Sequence, residues 1–353
     1  MPDISVALIE QVAEAYTDQR ALRIIGGQSK AGLIARTIDL NSTEDIAVAG
    51  HSGVVMYDPR ELILTARAGT PLSEIEQVLD ENGQMLSFEP PQFKSATLGG
   101  TLASNMSGPA RPWRSSMRDM VLGVRLINGR GEHLRFGGQV MKNVAGYDLA
   151  RLQAGALGSL GVITEISLKV LPKLHSSKTI MKTISQQGAI TEMNQIAATS
   201  VSVTAAAWSE GKMYIRYQGS RPVTALPISD IIELEDSRGF WQSLRNQTHS
   251  FFQTEKPLWR FSIKPTSTAF FETQSGLVEW AGAQRWIAGD FNFDEMQGIA
   301  RAARGHVSLY RGGQRTGEVR QSVDAIQRNI QQRLKLSFDP KRILNPGTLY
   351  SWM

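Results

Sequence analysis

The chain has no cysteine among its 353 residues. Disulfides, thiol chemistry and a cysteine-ligated iron–sulfur cluster are therefore excluded within it. No apolar run approaches the roughly 18 residues of a membrane span. The first residues, MPDISVALIEQ, carry Asp3 and no basic run ahead of their apolar positions. That speaks against a secretory leader, so a soluble cytoplasmic protein is the expectation. The chain also lacks a Lys/Arg block and any basic stripe interleaved with aromatics, and its net charge is only +5. Nucleic-acid binding is a remote reading on that count. The usual phosphate signatures are missing as well: there is no G-x-x-x-x-G-K-[ST], and no G-x-G-x-x-G between a strand and a helix.

What is present is glycine, unevenly placed. Thr97 to Gly161 holds twelve glycines in 65 residues, with eight Lys/Arg against three Asp/Glu. The segment nets +5, the charge of the whole chain, so everything outside it balances. Glycine lets a backbone take positive φ and approach a ligand closely. Successive free N–H groups make nests for anions. The stretch reads equally as the wrapping of a large anionic cofactor and as a loop-rich β domain that needs glycine for its turns.

The length suggests about two domains, and a hydrophobic fraction of 41% supports a buried core. Val6, Ile9, Val12, Ala13 and Tyr16 have helical spacing, so Ser5 to Gln19 is read as an amphipathic helix. Leu22–Ile25 is a short strand that runs into Gly26-Gly27-Gln28-Ser29-Lys30. Thr37–Leu40, Gly53–Tyr57 and Leu62–Ala68 are extended, and Thr70-Pro71 opens a helix that Gly83 stops. Gly99–Asn105 is a short helix of small residues. Val121–Ile127 and Leu134–Phe136 form a hairpin whose tight turn is Asn128-Gly129. Val162–Leu171 alternates and reads as a half-buried strand that Pro172 ends, and KLHSSK reads as a linker.

Composition then shifts. Residues 1–172 carry 19 of the 32 glycines, while six of seven tryptophans lie after residue 200. A second domain is expected from about Lys173, mixing strands (Lys212–Tyr217, Trp259–Ile263) with helices (Gly188–Ala198, Phe240–Gln247). Val323, Ile326, Ile330 and Leu334 mark one face of a late helix, and FDPKRILNPGTLY is an irregular tail.

Three glycine clusters stand out: Gly26-Gly27-Gln28-Ser29; Leu98-Gly99-Gly100 with Ser104-Asn105-x-x-Gly108; and Gly155-x-x-Gly158-x-x-Gly161. Each could offer backbone N–H groups to a diphosphate, with Ser29 and Ser104 adding hydroxyls. Any one alone is a weak signal, and their order across the chain raises it.

The pieces RIIGGQSKAG, PPQFKSATLGGTLASNMSG, RDMVLGVRLINGRGEHLRFG, KNVAGYDLARLQAGALGSLGVITEISLKVLP and DPKRILNPG recur in this order in a known family. The chain resembles the FAD-linked oxidases of the vanillyl-alcohol oxidase type, with a PCMH-type FAD-binding domain. The likeness extends nearly end to end to the FAD-binding subunits of glycolate-oxidising complexes.

The resemblance implies an α+β fold: a two-lobed FAD-binding domain over 1–172 (lobe boundary near 55), an α+β cap over 173–316, and a C-terminal helix and tail over 317–353 returning to the first domain. It implies that Gly26, Gly27, Gln28, Ser29 and Lys30 hold the diphosphate. Thr97, Gly99, Gly100, Ser104 and Gly108 would line the ribityl chain and flavin. Gly158, Gly161 and Val162 would meet the nucleotide through their backbone, and Asn345 would return near the flavin. The first glycine loop has Gln28 and Ser29 where some relatives have a linking histidine, so non-covalent FAD is expected.

In KNVAGYD, with Lys142, Asn143, Tyr147 and Asp148, either Lys142 or Tyr147 faces the flavin, or Asp148 caps the next helix and Lys142 pairs on the surface. Arg118-Asp119 reads as an ion pair fixing its loop. Arg111, Trp113 and Arg114 either offset cofactor phosphate, meet a partner, or are solvated.

The catalytic residues stay unknown. Oxidising a 2-hydroxy acid needs a cation for the carboxylate, a base for the hydroxyl proton, and correct placement of the α-hydrogen. Related dehydrogenases are expected to hold a divalent metal between two histidines and a glutamate. After His249 this chain has only His306, so no such metal site is expected. Arg260, Arg285, Arg311 and Arg315 are possible carboxylate binders; Tyr147, Arg285 and His306 are the weak catalytic candidates.

The resemblance implies an FAD-binding subunit of a glycolate oxidase that turns glycolate into glyoxylate. Its partners would be a sister FAD-containing catalytic subunit and an iron–sulfur subunit, with peripheral membrane attachment through the complex. The alternatives are a self-sufficient FAD-dependent oxidoreductase of another 2-hydroxy acid or alcohol, and a non-catalytic structural subunit.

Overall fold

The computed structural model describes residues 3–33, 35–39, 42–138, 147–174, 176–199, 202–219, 232–270 and 276–353. Lys142, Asn143 and Leu40 lie outside them.

Residues up to Pro172 form helices α1 (Ser5–Asp18), α2 (Leu72–Asp80), α3 (Leu98–Ser104), α4 (Arg111–Arg114), α5 (Met117–Met120) and α6 (Leu149–Leu152). The strands are β1 (Ala21–Ile25), β2 (Thr43–Ala47), β3 (Val54–Asp58), β4 (Ile63–Arg67), β5 (Gln84–Met85), β6 (Val121–Ile127), β7 (His133–Gly137), β8 (Val162–Lys169) and β9 (Leu171–Pro172). β1 and β2 pair in parallel. A five-stranded sheet has the order β3-β4-β8-β6-β7, every pair antiparallel.

The later residues form β10 (Ser176–Thr183), α7 (Gln186–Ala197), β11 (Val203–Ser209), β12 (Lys212–Gly219), β13 (Ile232–Glu233), α8 (Ser237–Arg245), β14 (Leu258–Ser262), β15 (Gly276–Glu279), β16 (Gln284–Ala288), α9 (Phe293–Ala302), β17 (His306–Arg311) and α10 (Ala325–Phe338). Their eight strands make one antiparallel sheet, β13-β10-β12-β11-β15-β16-β14-β17. The fold is thus α+β, with one lobe on β1 and β2, another on the five-stranded sheet, and the large sheet as the expected cap.

Several local expectations are corrected. β8 is buried on both faces, apart from Glu165 and Lys169 at partial exposure, because it is the central strand and the core closes over it. Thr37–Asp39 forms no strand, and β2 pairs with β1 instead. The hairpin after β6 is wider than a two-residue turn, since Asn128 N–H donates to Glu132 O at 3.0 Å. Positive φ falls on Gly131, not Gly129. Gly129 is small for another reason: a Cβ there would lie 2.4 Å from Asp339 Oδ1.

α1 buries Leu8, Val12 and Ala15 and leaves Val6 65% exposed. Two overlapping stripes share Val12, and contact with β1 and β6 selects the second. α10 turns Ile326 and Ile330 outward and buries Lys335 and Phe338. Its last turn, with Ile343 and Leu344, packs into the core of the first lobes.

Arg118 and Asp119 do not pair; Asp119 forms a capping box with Ser116 that starts α5. Arg111, Trp113 and Arg114 sit against the cap. The Arg111 guanidinium covers the Trp280 ring at 4.6 Å, and Trp113 packs on a cap core. Trp280 Nε1 donates to Gly108 O at 3.0 Å. Arg216 of β12 donates to Glu89 Oε1 at 2.7 Å, and Glu89 Oε2 accepts from Ala110 N–H at 3.1 Å.

Both side chains of that ion pair are buried, at 7% and 13% exposure. Removing one partner leaves an unanswered charge, which typically costs about 3 kcal/mol. Glu89→Ala is therefore expected to lower the unfolding midpoint in urea clearly, whereas Lys212→Ala, at an exposed strand end, should not.

Candidate functional site

The chain has to leave β1 at a tight place. Ser95 crosses the first glycine loop so closely that a Cβ on Gly27 would lie 1.6 Å from Ser95 O. Ser95 Oγ also donates to Gly27 O at 2.6 Å. Glycine is thus imposed by the crossing chain. The loop beyond is unusual in its hydrogen bonding. Among the described residues, the backbone N–H groups of Gly26, Gly27, Gln28, Ser29 and Lys30 donate to no protein acceptor. Together these five donors, on a partly exposed loop, form an anion-attracting rim.

This loop walls a cavity of about 340 Å³. A second cavity, of about 170 Å³, adjoins it. Both are lined by Gly26, Lys30, Thr97, Gly100 and Asn345, so they meet at these residues. Gly27, Gln28 and Ser29 line only the larger one. Gly99, Ser104, Gly158 and Gly161 line only the smaller one, whose remaining walls include Val48, Ala68, Leu157 and Ile163. The three glycine clusters, separated by up to 135 residues, thereby share one cleft.

Not every glycine there is a donor to the cleft. Gly99 N–H bonds Ala68 O at 2.7 Å, and a Cβ on Gly99 would lie 2.7 Å from Ala68 Cβ. Gly99 is small so that α3 can press on the strand side. Thr97 caps α3 by accepting from Gly100 N–H at 3.2 Å. Gly108 and Val162 fall outside both cavities. Gly108 packs under Glu89, with its carbonyl holding Trp280, and Val162 is fully buried in the core while its neighbour Ile163 reaches the cleft.

Asn345 reaches the cleft from the far end of the chain. Its Oδ1 accepts from Ile24 N–H and its Nδ2 donates to Leu157 O, both at 2.7 Å. It therefore ties β1 to the third glycine cluster. Beneath it lies a buried clip that the sequence reading did not single out. Lys335 Nζ donates to Ser159 O, Asp339 Oδ2 and Leu344 O, each at 2.8 Å. Asp339 in turn accepts from Ile343 and Leu344 N–H at 3.0 and 2.8 Å. Burial lowers the Lys335 pKa and Asp339 opposes the shift. The Lys-Asp spacing of four on a helix was a visible signal; that both are buried was not.

Three cationic side chains line the cleft. Arg23 is answered by Asp45 at 2.6 and 2.7 Å. Arg36 donates to Thr316 O at 2.5 Å and to Gly317 O and Gly347 O at 2.9 Å. Among the described residues, Lys30, 9% exposed, has only the Thr101 hydroxyl at 3.5 Å and the Phe93 ring at 5.9 Å. Burial alone pulls its ammonium down to about 8. A cleft with free N–H donors and an unanswered buried cation fits an anionic group, and FAD carries one in its diphosphate.

The catalytic candidates lie elsewhere. Tyr147 is 92% exposed. Arg285 is buried in the cap, donating to the carbonyls of Gly282, Thr268 and Ser267. His306 is exposed at the start of β17. Asp148 caps α6, accepting from Arg151 N–H at 3.0 Å. Arg311 and Arg315 also spend their guanidinium groups on backbone carbonyls. Arg260 is half-buried between the Trp280 and Trp286 rings, away from both cavities. Among the described residues, no three His, Asp or Glu side chains gather as a metal site, and no helix is long and apolar enough to cross a membrane.

Comparison with known proteins agrees with this geometry. Residues 3–137 match a family model described as an FAD binding domain. The chain is 40% identical over 351 residues to glycolate oxidase subunit GlcE of Escherichia coli (strain K12), covering 99% of this chain and 98% of that one. It is 31% identical over 128 residues to glycolate oxidase subunit GlcD of Bacillus subtilis (strain 168), covering 36% of this chain and 27% of that one. A D-lactate dehydrogenase of Anaerostipes hadrus is 28% identical over 144 residues, 41% of this chain and 30% of its own length. The solved structure of an alkyldihydroxyacetonephosphate synthase shares the fold at a TM-score of 0.66 and 17% identity, over 96% of this chain and 74% of its own. The chain belongs to the FAD-linked oxidase family, as a flavoprotein subunit of the glycolate oxidase GlcE type.

Proposed function

We propose that this chain is the FAD-binding subunit of a glycolate-oxidising complex, in which a sister FAD-containing subunit turns glycolate into glyoxylate and an iron–sulfur subunit carries the electrons onward. One observation carries the reading. The cleft offers donors for a dinucleotide, yet both arginines on its walls are already committed to protein acceptors. No histidine or carboxylate lines it among the described residues, so these walls show no imidazole or carboxylate base for a 2-hydroxy acid and, apart from Lys30, no uncommitted cation for its carboxylate. With no cysteine in the chain, any cluster must belong to a partner.

The cofactor assignment follows from shape. FAD has a ring system at each end and a diphosphate between them. Two adjoining cavities suit the two halves, and their junction suits the diphosphate. Gly26, Lys30, Thr97 and Gly100 would hold it there, with Gly27, Gln28 and Ser29 adding N–H groups from one side and Ser104, Gly158 and Gly161 shaping the other. Bound FAD would supply the two-electron redox chemistry. The chain's own residues supply binding, orientation and enclosure.

The chain purified alone should show a flavin absorbance spectrum. Under anaerobic conditions glycolate or D-lactate should leave that spectrum oxidised until the sister subunit is added. Bleaching by either acid without a partner would overturn the proposal in favour of a self-sufficient oxidoreductase. A colourless preparation that ignores added FAD would remove the cofactor assignment itself.

A further inference from the structure

Lys30 is a charge without a counter-charge. Among the described residues no carboxylate or histidine faces it from any element packed around it. Its own loop brings Gln28 and Ser29; α3 and its cap bring Thr97 and Thr101; the crossing segment brings Phe93; the tail brings Asn345 and Thr348. The charged groups on the same walls are Arg23 and Arg36, both already engaged, and Lys94 beside Phe93 is exposed. A buried ammonium normally has a partner or loses its proton. Lys30 lines both cavities, so an anion held where they meet would lie beside it.

We propose that Lys30 is the counter-ion of the FAD diphosphate and that it takes up a proton when FAD binds, so that cofactor uptake and proton uptake are one event at alkaline pH. The inference rests on the FAD assignment above and adds which atom answers the diphosphate and what that does to binding.

The sign follows from linkage. Burial holds the Lys30 ammonium at about 8 in the free protein, below its ordinary value of 10.5. A diphosphate oxygen within hydrogen-bonding reach favours the charged form and raises the pKa again. Between those limits the complex binds more protons than the free protein, and the extra proton comes from solvent. FAD affinity is therefore full below pH 8 and falls as pH rises above it, by up to about tenfold per pH unit. The apoprotein does the opposite: its folded state resists protonation of Lys30, so this group's contribution to stability improves as pH rises from 8 towards 10.5.

The test is calorimetric titration of FAD into the full-length apoprotein at pH 7, 8 and 9, each in two buffers of different ionisation heat. Proton uptake should be small at pH 7 and rise towards one per FAD at pH 9, as Kd weakens roughly tenfold between pH 7 and 9. Adenosine diphosphate should show the same proton linkage, and riboflavin should show none. Lys30→Arg, which stays charged, should still bind FAD with a flat pH profile and no proton uptake. Lys30→Met should raise Kd at pH 7 by roughly 10- to 100-fold, the worth of a hydrogen bond to a charged group.

Flat affinity and no proton exchange in the unaltered protein, while FAD still binds, would overturn this inference and leave the cofactor assignment standing. Proton uptake with riboflavin would overturn it too, by moving the pairing to the flavin ring. Failure of the unaltered protein to bind FAD at any pH would instead remove the assignment beneath it.

Discussion

Gly27→Ala is expected to remove tight FAD binding while Gly32→Ala leaves it intact. Both substitutions add one methyl group to the same segment, five residues apart, so the contrast isolates geometry. At Gly27 the methyl would be placed 1.6 Å from Ser95 O, and backbone cannot swing aside as a side-chain tip can. The two chains must separate, carrying the free N–H groups of Gly26 to Lys30 away from α3. Forcing a methyl group into such a contact costs about 1–3 kcal/mol, and misplacing several donors at once adds to it. A rise in Kd of roughly 100-fold or more follows, since each tenfold is about 1.4 kcal/mol. At Gly32 a Cβ meets nothing within 4 Å. Alanine there should leave Kd within about twofold and raise the melting temperature slightly by restricting the unfolded chain. Flavin fluorescence quenching on titration of both apoproteins reads the difference. Equal affinities would mean that the crossing of Ser95 over the first loop has no part in holding the cofactor.

The second large effect is expected at a residue that touches neither cavity. Lys335→Met removes the ammonium that joins Ser159 O, Leu344 O and the Asp339 carboxylate. Lys335 is 1% exposed and Asp339 0%. Methionine fits the volume but strands a buried carboxylate, a loss of about 3–5 kcal/mol for a broken buried pair. Two carbonyls lose a donor in the same step. The melting temperature should fall by roughly 5 °C. FAD affinity should fall with it, because the clip sets the tail that carries Asn345 and the turn that carries Gly158. Lys335→Met combined with Asp339→Asn should recover part of the stability, since the asparagine is neutral and its Oδ1 still accepts from the tail amides. The corresponding change at Lys341, an exposed residue that donates to Tyr16 O at 2.7 Å, should cost less than about 1 kcal/mol. Thermal melts of the apoproteins, with and without FAD, check all three. A Lys335→Met protein with an unchanged melting temperature would show that the pair is dispensable.

These two residues also mark how far the sequence could be read. Strands such as Val121–Ile127 were legible to the residue, because a run of apolar and β-branched residues bounded by turn chemistry has few other fates. The cap at Asp148, one of the two readings of that stretch, accepts Arg151 N–H, whereas Thr97, read only as a flavin-lining residue, proves to cap the helix of small residues. The glycine clusters were legible as loops, and the family resemblance supplied their order.

Periodicity was a poorer guide to which face is buried. α1 carries two overlapping apolar stripes, and only its contact with β1 and β6 selects Leu8, Val12 and Ala15. α10 carries a clear stripe through Ile326 and Ile330, yet the described structure buries the side with a lysine on it. β8 alternates in sequence but is closed on both faces by its central position. Neighbours decide burial, and a single strand's pattern does not name its neighbours.

By itself, then, the sequence determined the chemistry that is excluded and the places where backbone can approach a ligand: no thiol, no two-histidine cage near the C-terminus, and glycine at each turn. Only the tertiary structure decided which glycines serve the cleft and which merely let chains cross, that Gly108 and Val162 face elsewhere, and that Lys30 has no counter-charge among the described residues. The physical reason is range. Turn and cap preferences act over a few residues, whereas an unanswered charge or a 1.6 Å crossing exists only once residues 68 positions apart are packed together.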